Sequence, residues 1–218
     1  MKRAKTSRAW MKEHVSDPFV RQARKEGYRS RAAYKLLEIA ARDRLFRPGM
    51  TVVDLGAAPG GWSQVAVEKL GGRGKVIALD LLEMAPLPGV ICIRGDFREV
   101  PVLTELAEVL GESSPDLVIS DMSPNISGIG VSDQARSMHL AELALEFSLE
   151  RLNSDGDLLV KVFQGSGFEE FLANMRAGFD RVLTRKPDAS RDRSREVYLL
   201  GRGKRRPMAA PRPKREGG

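Results

Sequence analysis

The 218-residue chain has one cysteine, two histidines, three tyrosines and two tryptophans. A single thiol, Cys92, excludes a disulfide framework and a cysteine zinc cluster. In the apolar run "VICI" it reads as a buried, reduced thiol of a cytosolic protein. His14 and His139 stand apart, so ordinary surface or core roles are expected and no metal site is visible. No apolar stretch approaches the ~20 residues that span a bilayer. The opening "MKRAKTSRAWMKEHVSDPF" is basic with no apolar run behind it, and is not expected to act as a secretory signal. Disorder throughout is excluded as well, because 42% of the residues are hydrophobic. The length suits one domain with extensions.

Acidic charge is scarce at both ends. Residues 1–42 hold 12 Lys/Arg against 4 Asp/Glu, and residues 202–218 hold 7 against 1. The net +7 therefore conceals an acidic body of −7 between arms of +8 and +6. Such asymmetry points to a polyanionic partner, most often nucleic acid. Three divisions are expected: a basic N-terminal arm (1–27), a central domain (28–201) and a Pro/Gly-rich, disordered basic tail (202–218). For the tail, nucleic-acid contact and mere solubilisation are equally good readings.

From residue 51 onward strand and helix alternate. "YRSRAAYKLLEIAA" (28–41) reads as a helix with Ser30 as its cap. Strands follow at "TVVDLG", "GKVIALDLL", "VICIRGDF", "PDLVISDMSPN" and "GDLLVKVFQG", separated by helical segments, and "RVLTRK" and "REVYLLG" close the series. The fold class is α/β with a mainly parallel sheet and an antiparallel pairing at one edge.

In open α/β sheets ligands bind beyond the carboxyl ends of the strands. Here those ends carry Asp54, Asp80, Asp96 and Asp121, and the fifth strand carries Lys161. A single such acid is usually a solvated turn residue; four in register argue for a site. The loop "GAAPGG" lacks the middle glycine of the G-x-G-x-x-G fingerprint and contains Pro59, which removes an N–H donor. It suits a small ligand on bare backbone better than a diphosphate. Alone, it equally suits close helix–strand packing. Asp80 is placed to accept from ribose hydroxyls and Asp96 from an adenine amine. Together they suit an adenosine ligand without diphosphate, and S-adenosylmethionine fits, its cationic groups being favoured by an acid-lined pocket. Lys161 is costly to bury without a partner. It is either snorkelling from the strand end or serving as a base or positioning ammonium beside Asp121.

The strings "SRAAYKLLEI", "DLGAAPGGWSQV", "GDF", "SDMSPN", "VKVFQG" and "SREVYLL" closely resemble the FtsJ family of large-subunit ribosomal RNA ribose 2′-O-methyltransferases, over residues from about 10 to 200. The resemblance implies a Rossmann-like S-adenosylmethionine-dependent methyltransferase fold with helices on both faces. It implies a catalytic tetrad at Lys35, Asp121, Lys161 and Glu196, with cofactor contacts at Gly60, Trp62, Asp80, Asp96 and Asp121. The target would be a uridine ribose in ribosomal RNA or the large ribosomal subunit. The protein would be cytoplasmic and monomeric, without membrane attachment. Lys161 would take the hydroxyl proton and Asp121 would orient it. Lys35 would favour the neutral Lys161 amine by like-charge repulsion or hold a phosphate; Glu196 would orient a lysine or touch the ribose. Arg21, Arg24, Lys25, Arg29 and Arg31 would meet RNA phosphates, and Tyr28 and Trp10 would stack on bases or pack. Transfer RNA or an mRNA cap as target, a non-catalytic assembly factor and a small-molecule methyltransferase are the competing readings.

Overall fold

A computed structural model describes residues 17–124, 130–191 and 194–206. The chain opens, within these, with a helix that hydrophobic periodicity did not reveal, α1 (Pro18–Glu26). Local signals build it. The Asp17 carboxylate accepts from the Phe19 amide at 3.0 Å, Pro18 occupies the first turn, and Gly27 closes the helix at φ 81°. Only Val20 and Ala23 are buried, too few for a periodic signal. The following helix, α2, runs Ala32–Asp43. Arg31, not Ser30, stands at its N-cap, and Ser30 packs against Gly61 instead.

The remaining elements are β1 (Thr51–Leu55), α3 (Gly61–Leu70), β2 (Lys75–Asp80), β3 (Val90–Arg94), α4 (Val100–Leu110), β4 (Leu117–Ser120), α5 (Gly130–Arg151), β5 (Asp157–Phe163), α6 (Phe168–Gly178), β6 (Phe179–Arg185) and β7 (Glu196–Lys204). The last strand continues three residues past the segment read from sequence. The seven strands form one sheet in the order β3-β2-β1-β4-β5-β7-β6. β1 to β5 pair in parallel, and β7 is antiparallel to both of its neighbours. The expected antiparallel pairing is therefore present, but β7 is inserted between β5 and the edge strand β6.

Two cores sandwich the sheet. On one face Ala33, Leu36 and Ile39 of α2 and Trp62, Val65 and Ala66 of α3 meet Val52, Leu159, Tyr198 and Leu200. On the other, Leu106, Leu145, Phe147, Phe171 and Met175 from α4, α5 and α6 cover Val53, Leu79, Val118, Val160 and Leu199. The strict alternation along β5 and β7 puts Lys161, Glu196 and Tyr198 on the face covered by α2. No helix joins β2 to β3, and β3 is an edge strand. Cys92 is consequently exposed, not buried as its apolar run suggested. The strand order reverses between β1 and β4, so the crevice at their carboxyl ends is the topological switch point.

Candidate active site

The loop after β1 reaches this crevice through two close approaches. Gly56, at φ 73°, is so near Met122 that a Cβ would lie 2.3 Å from its Cγ. Gly60, at φ 106°, caps α3, and a Cβ there would lie 2.9 Å from Met84 Sδ and 3.0 Å from an Arg29 nitrogen. Beside this loop a cleft is lined by Ala57, Asp80, Leu82, Glu83 and Met84. Asp80 is pinned in it by two amides, Ala58 N–H to Oδ2 at 2.9 Å and Leu82 N–H to Oδ1 at 2.7 Å. Each carboxylate oxygen keeps a second lone pair for a ligand hydroxyl.

The other expected ligand contacts are distributed differently. Trp62 is 3% exposed and its indole N–H donates to Ala32 O at 2.8 Å, so its ring belongs to the core. Its amide lies in the first turn of α3, where a helix supplies no acceptor of its own. Asp96 follows β3, and its carboxylate is held by its own neighbour: Arg98 Nε lies 2.9 Å from one oxygen and 3.0 Å from the other. That hydrogen-bonded guanidinium keeps the Asp96 carboxyl below its ordinary range. Asp54 does not face the cleft at all. It is 1% exposed beneath α3 and accepts from the Ser63 hydroxyl at 2.7 Å. Burial pushes its carboxyl up to about 7, a rise to which the charges of Asp121 and Asp80 add.

The four tetrad positions, which come from α2, the end of β4, β5 and the start of β7, do meet. Lys161 Nζ is 3.0 Å from Asp121 Oδ1 and donates to the Asp121 carbonyl oxygen at 2.6 Å. Lys35 Nζ is 2.6 Å from Glu196 Oε1. Tyr198, which sequence reading passed over, joins the pairs. Its hydroxyl is 2.7 Å from Asp121 Oδ1 and 3.4 Å from Glu196 Oε1. One hydroxyl proton serves one acceptor well, and the shorter contact is to Asp121. The Lys35 ammonium lies 5.6 Å from the Tyr198 ring centroid, within cation–π range. A polar aromatic two residues after Glu196 on an otherwise apolar strand shares its face, and that spacing was the available signal. A second addition is Ser190, buried in the β6–β7 loop, whose hydroxyl donates to Glu196 Oε1 at 2.9 Å. Nothing local in the sequence marks it.

The electrostatics follow from these contacts. Burial works against ionising Asp121. The charges of Lys161 and Lys35 and the hydrogen bonds from Tyr198 and Lys161 outweigh it, and hold the carboxyl below its usual range. Burial first, then the Asp121 and Glu196 charges, raise the Tyr198 phenol well above its ordinary value, so it stays a neutral donor.

The N-terminal basic residues divide into two groups. Arg21, Arg24 and Lys25 are exposed on α1. Arg31 is consumed internally, paired with Asp17 at 2.7 Å and donating to Ala189 O. Arg29 binds the backbone carbonyls of Pro59, Ala85 and Pro86. Tyr28 donates to Glu68 at 2.8 Å and packs edge-on against Tyr34. Trp10, His14 and the tail from residue 207 lie outside the described residues. Among the described residues no cluster suits a metal ion and no helix is long and apolar enough to cross a membrane.

A parallel sheet with an inserted antiparallel strand, acids at its carboxyl edge and a glycine loop at the switch point define a Rossmann-like methyltransferase. The FtsJ-like methyltransferase model matches residues 28–204, and the chain belongs to this family. It is 73% identical over 205 residues to the ribosomal RNA large subunit methyltransferase E of Nitrosospira multiformis, covering 94% of this chain and all of that protein. It is 65% identical over 201 residues to the protein of that name from Nitrosomonas europaea, covering 92% of this chain and 98% of the relative. A solved Plasmodium falciparum chain assigned as a ribosomal RNA methyltransferase superposes with a TM-score of 0.74 at 30% identity, over 81% of this chain and 98% of that one.

Proposed function

We propose that the chain transfers a methyl group from S-adenosylmethionine to a ribose 2′-hydroxyl, on a uridine, in large-subunit ribosomal RNA. The observation that carries this reading is the convergence of Lys35, Asp121, Lys161 and Glu196 around Tyr198, beside the Asp80 cleft, in a member of the FtsJ-like family. The names of the relatives support the choice of RNA.

The cleft fits the cofactor's chemistry. Asp80 offers fixed acceptors for ribose hydroxyls, and the first-turn amides of α3, which begins after Gly60, are donors. When bound, S-adenosylmethionine supplies a methyl group on a sulfonium. Asp96 offers its carboxylate to the adenine amine, sharing it with Arg98.

The ribose hydroxyl is a weak nucleophile, so the chain must orient it and receive its proton. The Lys161 ammonium first gives up a proton to solvent, and the neutral amine then receives the hydroxyl proton at Nζ. A neutral amine has two N–H groups and one lone pair. Asp121 presents two acceptors to it, the carbonyl oxygen and Oδ1, which leaves the lone pair for the hydroxyl. Asp121 stays ionised and compensates the ammonium that forms. Tyr198 holds Asp121 in place, and Glu196 with Ser190 holds Lys35, which contacts the phosphate beside the target. Arg21, Arg24 and Lys25 of α1 and the basic tail beyond β7 meet more distant phosphates, flanking a catalytic domain whose last strand runs to Lys204 and not to 201. The enzyme acts as a cytoplasmic monomer.

The test is transfer of labelled methyl from S-adenosylmethionine to large subunits, free large-subunit RNA, transfer RNA and a capped transcript, with the modified ribose mapped. Label on one uridine 2′-oxygen of large-subunit RNA is expected. Label on transfer RNA or the cap alone would replace the substrate. RNA and cofactor binding without any label would point to an assembly factor.

A further inference from the structure

The loop between β2 and β3, residues 81–89, forms one wall of the Asp80 cleft through Leu82, Glu83 and Met84. It has no regular secondary structure, and Pro86 and Pro88 contribute no N–H to tether it. The opposite wall is the glycine loop ending at Gly60. Arg29 spans the two. Its Nη1 is 2.7 Å from Ala85 O and 3.2 Å from Pro59 O, and its Nη2 is 2.7 Å from Pro86 O. A planar guanidinium offers donors in a fixed fork, and three carbonyls from two loops satisfy it. Its own backbone is anchored in turn. Arg29 N–H donates to Gln64 Oε1 at 2.8 Å, and Gln64 Nε2 donates to Gly27 O at 3.0 Å, so the α1–α2 linker is fastened to α3. The absence of a side chain at Gly60 is what admits Arg29 and Met84 together.

We infer that Arg29 is a positioning residue for the cofactor pocket: it clasps the 81–89 loop to the glycine loop and so sets the width of the cleft before the ligand arrives. The inference rests on the S-adenosylmethionine reading of that cleft. The physical consequence is selective. The three carbonyls lie near the surface, and without Arg29 water satisfies them, so folding stability changes little. The loop, however, then samples open conformations, and ordering it becomes a cost of every binding event. Affinity for the cofactor falls, while the bound state, once formed, presents the same tetrad.

The experiment is calorimetric titration of the full chain with S-adenosylmethionine, for wild type, Arg29→Gln and Arg29→Lys, with ligand-free melting curves and kcat at saturating cofactor. For Arg29→Gln, Kd rises by about tenfold, the ligand-free melting temperature stays within a few degrees, and kcat stays within about twofold. Arg29→Lys reaches one loop but not both, and its Kd falls between the two. An unchanged Kd in both variants, with the wild type binding, overturns the inference. So does a fall in kcat at constant Kd, which would make Arg29 an RNA-side residue. Should Arg29→Gln not fold, the intermediate Kd of Arg29→Lys decides. Wild-type protein that binds no S-adenosylmethionine would sink the cofactor reading itself, and the inference with it.

Discussion

Both ends of the same sheet bury ion pairs, and they use different cations. Toward the amino end, Arg185 reaches back from the last residue of β6 to grip Asp43 at the end of α2, with Nε and Nη2 at 2.7 and 2.5 Å. There too Arg202 pairs with Asp157 at 2.6 Å while donating to the Asp43 carbonyl. At the carboxyl end the cations are lysines, Lys161 on Asp121 and Lys35 on Glu196. Burial and distance are similar, but the chemistry is not. A guanidinium never gives up its proton in a protein, so an Arg–Asp pair can only brace. An ammonium can lose its proton and take one back. The braced end ties α2, β6 and β7 together; the labile end is where a proton can move.

The comparison is broken most directly by giving the carboxyl end the amino end's cation. Lys161→Arg keeps the charge beside Asp121 but cannot receive a proton. Methyl transfer should fall by about a thousandfold or more, with S-adenosylmethionine binding retained in the same titration. Residual activity within tenfold of wild type would remove Lys161 as the base.

A second test separates a carboxylate that has no cation from those that do. The folded-state carboxyl of Asp54 stands at about 7 against an ordinary 3.8. Between those values the folded protein binds more protons than the unfolded chain, so this group's contribution falls as pH rises through that window. The loss by pH 8 is of the order of 4 kcal/mol at most. The cation-paired carboxyls of Asp43 and Asp121 are lowered and act in the opposite sense. Asp54→Asn should therefore be more stable than wild type at pH 8, with the difference vanishing toward pH 4. Denaturant melts at the two pH values check this, and an equal difference at both would refute it.

Disturbing the braced end sharpens the contrast from the other side. Asp43→Ala leaves Arg185 without its partner and should destabilise by about 2 kcal/mol, seen as a lower denaturant midpoint. Its kcat on RNA should remain within twofold of wild type below the new transition.

The smallest effect is expected at Tyr198→Phe. Asp121 keeps Lys161 and Glu196 keeps Lys35, so only the bridging hydroxyl is lost. A fall in kcat of roughly three- to tenfold, with an unchanged Kd for the cofactor, is the expected result. A thousandfold loss would place the phenol among the reacting groups.

Much of this was legible in the chain. β1 to β4 were read from apolar runs ending in acid and β5 from an apolar run carrying Lys161, because a parallel strand buried on both faces, as β1, β2, β4 and β5 are, carries continuous apolar residues whatever its neighbours are. α1 was missed because its signals are capping residues and two buried side chains. Cys92 was misread because an apolar run does not say that its strand lies at an edge. Arg29 and Arg31 were read as phosphate contacts because a basic cluster looks the same whether its partner is RNA or a backbone carbonyl 30 to 158 residues away.

The sequence by itself determined the order of strands and helices from α2 onward, the positions of the acids at strand ends, the glycines of the β1–α3 loop and the family strings. All are local: periodicity, propensity and short motifs act within a few residues. Only the tertiary structure decided that β7 enters between β5 and β6, which sets Lys161 opposite Tyr198 in register. It alone brought Lys35 across 161 residues to Glu196, hid the Trp62 ring, and turned Arg29 toward the cofactor cleft. Those outcomes depend on which faces pack and which charges are buried together, and side chains far apart in the chain must be brought into contact before either is settled.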